Sequence, residues 1–388
     1  MKRELRTGLR TWIEIDKKAI KHNYRVFRSL ISKKTKLMGV VKSNAYGHNL
    51  FEFAKELEKL GVDYLAVDSA TEGINLRKDG IKIPILVLGY TLPEMIEKAV
   101  ANDLEITVSS FDYFAQIKKL NSKKPVKVHI KVDTGMHRHG FLVSETEKVI
   151  NELNKLKNKI KVLGLYTHFA AAKNPAFPKE TKKQIEIFNQ WREAFSQAGI
   201  KVINHTCATS GTILFPEVHL DMFRVGIGLY GLWPSREVQA YAQNKFNLKP
   251  VLSWKTVIAE IKDIKAGESI GYDFTEKLNR KSKIAVLPIG YWHGYPRALS
   301  SIGQVLIGGH KCKIIGRICM DIMIVDVTDV KPFKNSQGLR SVEVGDEVTI
   351  IGVDNKEKIT ADDIATLLDA SVYELVTRIN PLIKKIYK

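Results

Sequence analysis

The chain has 388 residues, 44% of them hydrophobic and 27% charged, the make-up of an ordinary folded protein with material for a large core and, at this length, for two domains. Lys and Arg outnumber Asp and Glu by 61 to 42, a net charge of +19, but the lysines alternate with Glu on helix faces such as KETKKQ and NELNKLKNK, so a solvated basic surface is expected and nucleic-acid binding is not. The basic start MKRELRTGLRTWIEID lacks a signal-peptide core, no apolar run reaches the ~18 residues of a membrane span, and Cys207, Cys312 and Cys319 show no C-x-x-C spacing; a cytoplasmic protein with no membrane partner, no disulfide framework and no metal is expected.

TWIEI alternates like a strand without an obvious neighbour, and residues 1–14 are expected to join a later β-domain. Asp16 is placed to cap a helix that carries Ile20, Tyr24, Phe27 and Ile31 on one face. Eight short apolar runs then alternate with amphipathic stretches: residues 37–42, 64–67, 85–88, 105–108, 126–131, 161–166, 202–205 and 223–230. This is the pattern of repeated βα units, and eight of them imply a TIM (β/α)8 barrel over residues 15–242, with its chemistry at the C-terminal ends of the strands. SREVQAYAQNKFNLKP is polar and is expected to be a connector. Beyond it, LSWKTVIAEI, KIAVLPI, QVLIGGHKCKIIG, IMIVDVTDV and DEVTIIG are short alternating runs broken by turns, an all-β domain over residues 243–388.

Lys42 ends the first barrel run within VVKSNAYGH. A lysine there points toward the barrel mouth, where desolvation and neighbouring cations would free its amine to condense with an aldehyde. Alone, such a lysine is most often a solvated charge, so the other strand ends decide. They deliver Lys131 and Arg138 in KVDTGMHRHG, His168 in LYTHFA, Ser210 in HTCATSG, and Arg224, Gly226 and Ile227 in DMFRVGIGLYG. The later domain adds Tyr272 in GESIGYDFT, Tyr291 in PIGY, and Met320 and Asp321 in GRICMD.

In this order, from TWIEID to YELVTRI, the motifs resemble those of the alanine racemases. The resemblance implies a homodimer that uses pyridoxal 5'-phosphate to interconvert L- and D-alanine by a two-base 1,1-proton transfer, supplying D-alanine for peptidoglycan. It makes Lys42 the covalent cofactor anchor and one base, and Tyr272 the other base, acting on the partner's site. Tyr46, Ser210, Gly226 and Ile227 would contact the cofactor phosphate, and Arg138 its phenolic oxygen and the substrate. His168 would pack on the ring, and Arg224 would face the ring nitrogen. A guanidinium cannot take the proton that an aspartate there would hold, which favours return of a proton to Cα over deeper carbanion chemistry. Lys131 matches a lysine that is often carbamylated and steadies the arginine. Tyr291 would stand at the entrance, Met320 would bind the substrate carboxylate, and Asp321 would support that loop. A hydrogen-bond chain from His168 to Arg224 is expected to assist Tyr272. HTCATSG departs from the usual H-x-A-N-S form, and Pro381 stands where some racemases have a pocket tyrosine. A racemase of serine, lysine or a broader range, a pyridoxal-phosphate decarboxylase and a non-catalytic cofactor-binding protein are the alternatives.

Overall fold

The computed structural model describes residues 8–174, 176, 178–335 and 338–388; the first seven residues of the expected N-terminal segment lie outside them. The chain divides into two compact units. One comprises residues 18–45 and 50–249, and the other the residues up to Lys17 together with 46–49 and 250–388.

Strand β1 (Thr11–Ile15) leads into helix α1 (Lys17–Ser29), which buries Ile20 and Phe27 along one side. The barrel strands follow as β2 (Lys36–Val40), β3 (Tyr64–Val67), β4 (Ile85–Val87), β5 (Glu105–Val108), β6 (Val126–Lys131), β7 (Ile160–Tyr166), β8 (Ile203–His205) and β9 (Met222–Val225). All are parallel, in the order β8-β7-β6-β5-β4-β3-β2-β9. The Asp221 and Arg224 amides donate to the Asn204 and Cys207 carbonyls at 3.2 and 3.0 Å and draw the ends of this sheet into a nearly closed barrel of TIM type. Strands β3, β4 and β5 are buried at every position, as expected where helices cover one face and the barrel interior the other.

The covering helices are α2 (Leu50–Leu60), α3 (Ala70–Lys78), α4 (Pro93–Ala101), α5 (Phe111–Lys119), α6 (Thr146–Lys155), α7 (Pro178–Gln197), the short α8 (Thr209–Leu214) and α9 (Arg236–Ala242). In α7, Thr181, Gln184, Phe188, Trp191 and Phe195 recur at three- and four-residue steps and are buried.

Three sequence expectations change. The first barrel strand stops at Val40 because the backbone then coils left-handed, so Lys42 follows the strand rather than ending it. The eighth stops at Val225, and Ile227–Tyr230 is a 3-10 turn. Gly228 lies there so close to Phe27 that a Cβ would stand 2.3 Å from the ring, which ties the turn to α1. The polar connector contains α9, capped by Ser235 Oγ accepting from the Val238 amide and anchored by buried Val238 and Ala242.

The second unit is β-rich. The strands of its two main sheets are β10 (Leu252–Val257), β11 (Glu260–Ile264), β12 (Ser282–Leu287), β13 (Gln304–Ile307), β14 (His310–Lys313), β15 (Met323–Asp326), β16 (Glu347–Asp354), β17 (Glu357–Ile359) and β18 (Lys385–Tyr387). The larger sheet runs β14-β13-β16-β10-β1-β18, with β17 on β16; a smaller one runs β11-β12-β15. Strand β1 pairs antiparallel with β10 and parallel with β18, so TWIEI finds its neighbours in this unit. Short helices α10 (Ala361–Leu367) and α11 (Val372–Thr377) precede the last strand. Cys207 and Cys312 are buried and Cys319 half-buried, all as free thiols. Among the described residues no helix is long and apolar enough to cross a membrane.

Candidate active site

Beyond β2 the residues Ser43, Asn44, Ala45 and Tyr46 take φ of 56°, 55°, 50° and 51°, a left-handed turn made without glycine. Each such residue costs roughly 1–2 kcal/mol relative to a right-handed turn, so neighbours must hold it. Glu72 at the start of α3 does so. Its carboxylate accepts from the Asn44 amide at 3.3 Å and from the Asp68 amide at 2.9 Å, and Asn44 Oδ1 accepts from the Leu50 amide at 2.9 Å. Lys42 Nζ, freed from the strand, donates to Asp68 Oδ1 at 3.1 Å, the two side chains being 38% and 55% exposed. Sequence reasoning did not single out Asp68 or Glu72. An acidic pair one βα unit after a strand-end lysine was the available signal.

Arg138, Lys131 and His168 come together around the ends of β6 and β7. Asp133 shapes the connecting loop by accepting the amides of Gly135, Met136 and His137 on one oxygen, at 2.8, 3.0 and 3.1 Å, and that of Arg138 on the other at 3.1 Å. Buried Lys131 has its ammonium pushed down to about 8, by desolvation first and then by the charges of Arg138 and Arg224. His168 is driven down to about 3 by burial and by Arg224, Arg138, Lys131 and Lys42, which keeps it neutral. Four cations thus crowd one neutral imidazole, an electrostatic arrangement that fits an anionic ligand.

Arg224, on β9, is buried and fully engaged. Its Nη1 donates to His205 Nδ1 at 2.7 Å and to the His205 carbonyl at 3.2 Å, and its Nη2 to the Thr167 and Thr206 carbonyls at 2.7 and 2.9 Å. Burial lowers its guanidinium to about 10, still charged at neutral pH. The expected hydrogen-bond chain from His168 is replaced here by one to His205; the influence of Arg224 on His168 is through its charge. Beside it, the Gly226 amide donates to Thr209 Oγ1 at 3.2 Å. Thr209 therefore accepts from one of the two amides expected to face the phosphate. Ser210 is the next residue of α8 and half-buried, and Ile227 opens the following 3-10 turn.

The remaining expected residues belong to the β-rich unit. Tyr46 is buried with its ring centroid 6.1 Å from that of Tyr373, and the following Gly47 leaves no room for a Cβ, which would lie 2.1 Å from the Val376 carbonyl oxygen. Tyr272 is 66% exposed in a short turn whose Asp273 is ion-paired with Arg317 at 3.0 Å. Tyr291 and Met320, 41% and 52% exposed, are brought side by side by backbone bonds: the Tyr291 amide to the Cys319 carbonyl at 3.1 Å and the Trp292 amide to the Met320 carbonyl at 2.9 Å. Gly290 permits this approach, since a Cβ there would stand 2.2 Å from the Cys319 carbonyl oxygen. Asp321 is exposed and close enough to His293, whose Nδ1 accepts from the Gly290 amide at 3.2 Å, to act on its charge. Pro381 is exposed, and its carbonyl accepts from Lys385 Nζ at 2.9 Å.

Known proteins with this arrangement are available for comparison. Family models match over nearly the whole chain: the alanine racemase N-terminal domain at residues 15–234 and the C-terminal domain at residues 251–387. The alanine racemase of Halothermothrix orenii is 41% identical over 97% of this chain and 97% of its own, and that of Methanococcus maripaludis 40% identical over 97% and 98%. Among solved structures, the alanine racemase of Clostridium difficile 630 superposes with a TM-score of 0.89 at 34% identity over 98% of this chain and 96% of its own. That of Bacillus anthracis with bound L-Ala-P gives 0.90 at 31% identity over 98% and 95%. Domain order, strand-end chemistry and full-length likeness agree, and the chain belongs to the alanine racemase family of isomerases.

Proposed function

We propose that this racemase interconverts L- and D-alanine with pyridoxal 5'-phosphate, using Lys42 Nζ and Tyr272 Oη as its two bases, and so supplies D-alanine for peptidoglycan. The observation that carries the reading is the convergence of Lys42, Lys131, Arg138 and Arg224 on neutral His168 at the strand ends, a cationic cradle that suits an anionic cofactor and a carboxylate substrate. Lys42, Tyr46, Arg138, His168, Ser210, Arg224, Gly226 and Ile227 would hold the cofactor, with Thr209 joining Ser210 by way of its bond to the Gly226 amide. When bound, the cofactor supplies an electron-withdrawing ring that acidifies the Cα proton of an amino acid.

Inversion at Cα needs a base on each face, because a single base tends to return the proton to the face it came from. Lys42 Nζ takes or gives the proton on one face and Tyr272 Oη on the other. Arg138 and Met320 orient the substrate carboxylate, Tyr291 screens the entrance, and Asp321 supports the Met320 loop. Arg224 holds a positive charge where an acidic residue would hold a proton, and this limits charge delocalisation and favours reprotonation. The depressed ammonium of Lys131 makes its amine available for carbamylation, and the resulting anion would pair with Arg138. The exposure of Tyr272 fits a residue offered to a partner subunit in a cytoplasmic homodimer with composite sites.

The test is to incubate the protein and pyridoxal 5'-phosphate with each L-amino acid in turn and follow the D-isomer by chiral chromatography. Alanine should turn over fastest. No D-alanine, or serine or lysine well ahead of it, would overturn the assignment.

A further inference from the structure

Behind Arg224, within the barrel, lies a file of buried polar side chains. Glu105 opens β5, His129 lies on β6 and His205 ends β8, and these three and Arg224 are each 3% exposed or less. Arg224 Nη1 stands 2.7 Å from His205 Nδ1, His205 Nε2 is 2.9 Å from His129 Nδ1, and His129 Nε2 is 2.7 Å from Glu105 Oε2.

The proton inventory along this file has one solution. A guanidinium only donates, so His205 Nδ1 accepts and its proton sits on Nε2. That proton is given to His129 Nδ1, which leaves the proton of His129 on Nε2, facing a carboxylate oxygen that accepts it. The reverse polarity would require a protonated Glu105 and a His205 with no proton on either nitrogen, an imidazolate. A second proton on either ring would point a donor at a donor.

We propose that Glu105 is the remote counter-ion of Arg224, coupled to it through two neutral Nε2–H histidines, and that this file fixes the charge and aim of the guanidinium at the cofactor site. Glu105, His129 and His205 are positioning residues, and the inference rests on the racemase reading for its catalytic consequence. Two features show that the site is built for the file. Gly164 on β7 makes room for the His129 ring, since a Cβ there would lie 2.0 Å from Nδ1, and the β6–β7 register shifts at Val128/His129. Tyr166 stacks on His205 with centroids 4.7 Å apart and 7° between planes, while Arg224 lies 5.1 Å from the centroid of the same ring.

The surroundings keep the His205 ring neutral. His205 is held well below its ordinary range by burial, then by Arg224 and His129. Tyr166 and Cys207, its other titratable neighbours, are pushed up to about 12 and about 11 by burial and so carry no charge near neutrality. Tyr64, edge-on to His129 at 6.4 Å, is likewise raised by burial, and on the strand-end side Lys131, whose Nζ lies 5.7 Å from the Tyr166 centroid, and Arg138 add further positive charge around that ring.

The test uses the full chain labelled with 15N-histidine, without and with pyridoxal 5'-phosphate. Long-range 15N spectra should show His129 and His205 as Nε2–H tautomers, with His205 not titrating between about pH 5 and pH 9. An Nδ1–H tautomer of either ring, or titration of His205 in that window, would overturn the file. Glu105→Gln keeps an acceptor for His129 and removes the charge, so tautomers should persist while kcat falls roughly 3- to 30-fold with KM for alanine nearly unchanged. Wild-type kcat in that variant overturns the counter-ion role. The tautomer readout without cofactor separates failure of the file from failure of the racemase assignment, and it stands if the variant does not fold.

Discussion

Arg224 is buried in the barrel unit with four hydrogen bonds, whereas Tyr272, Tyr291 and Met320 stand 66%, 41% and 52% exposed on the β-rich unit. Within the cation cluster Arg224 and Lys131 are buried on their strands, which leaves little freedom for those two charges. The exposed set is held by the backbone approach of Gly290 to Cys319 and by the Asp273–Arg317 ion pair in the turn at Tyr272, and its own side chains face solvent. Substitutions inside the barrel should therefore reach stability as well as activity, and substitutions on the exposed set should reach activity alone.

The largest effect is expected for Lys42→Ala, which would remove the proposed cofactor anchor and one of the two proposed bases: visible absorbance of bound pyridoxal 5'-phosphate should vanish and racemisation should fall by at least ~10²- to 10⁴-fold. Wild-type racemisation in that variant would break the assignment. Tyr272→Phe should also lose on the order of 10²-fold or more, but unequally for proton exchange from L- and D-alanine in deuterated solvent, with its unfolding midpoint unchanged. Equal, near-normal exchange in both directions would remove Tyr272 from its role.

Arg224→Leu sharpens the contrast, because it leaves Glu105 without its counter-ion and His205 Nδ1 without its donor. A loss of about 3–5 kcal/mol in urea unfolding of the cofactor-free protein is expected.

Lys131 gives a pH signature. In the folded barrel its ammonium is held near about 8 against an ordinary 10.5, so the unfolded chain binds the extra proton between these values and stability should rise with pH across that window. The gain is at most about 3 kcal/mol, absent below about pH 8. Lys385 is shifted in the same direction, so the contribution is read as the difference between the wild type and Lys131→Met in carbon-dioxide-free buffer. The smallest effect belongs to Arg317→Ala, which breaks an exposed pair with Asp273 and should cost under about 0.5 kcal/mol by thermal unfolding.

Much of this architecture is legible without coordinates, for physical reasons. The βα alternation marks the barrel, and the strand-end motifs bring Lys131, Arg138, His168 and Arg224 to one mouth because parallel strands all end on the same side. Two things stay hidden. Ser43 to Tyr46 carry no glycine to announce a left-handed turn, since the contacts that impose it come from Glu72, a βα unit away. Glu105, His129 and His205 sit on β5, β6 and β8, strands far apart in sequence that the sheet sets side by side, with Gly164 of β7 leaving the space across which His129 meets His205. Their signal was faint but present: a Glu opening EITV and a His inside VKVHIK are polar residues in runs otherwise read as core, and buried polar groups need partners.

The left-handed turn also dates an event in the life of the chain. Released from the barrel wall, SNAY has every local reason to coil the other way and would carry Lys42 with it; the wall that prevents this is Glu72 and Asp68, which do not exist as a surface until β3 and α3 have formed. The lysine has no address before then. Lys42 is therefore placed only once residues 64–78 have folded against its turn, and a nascent chain stalled before residue 72 would present an ordinary, unplaced amine.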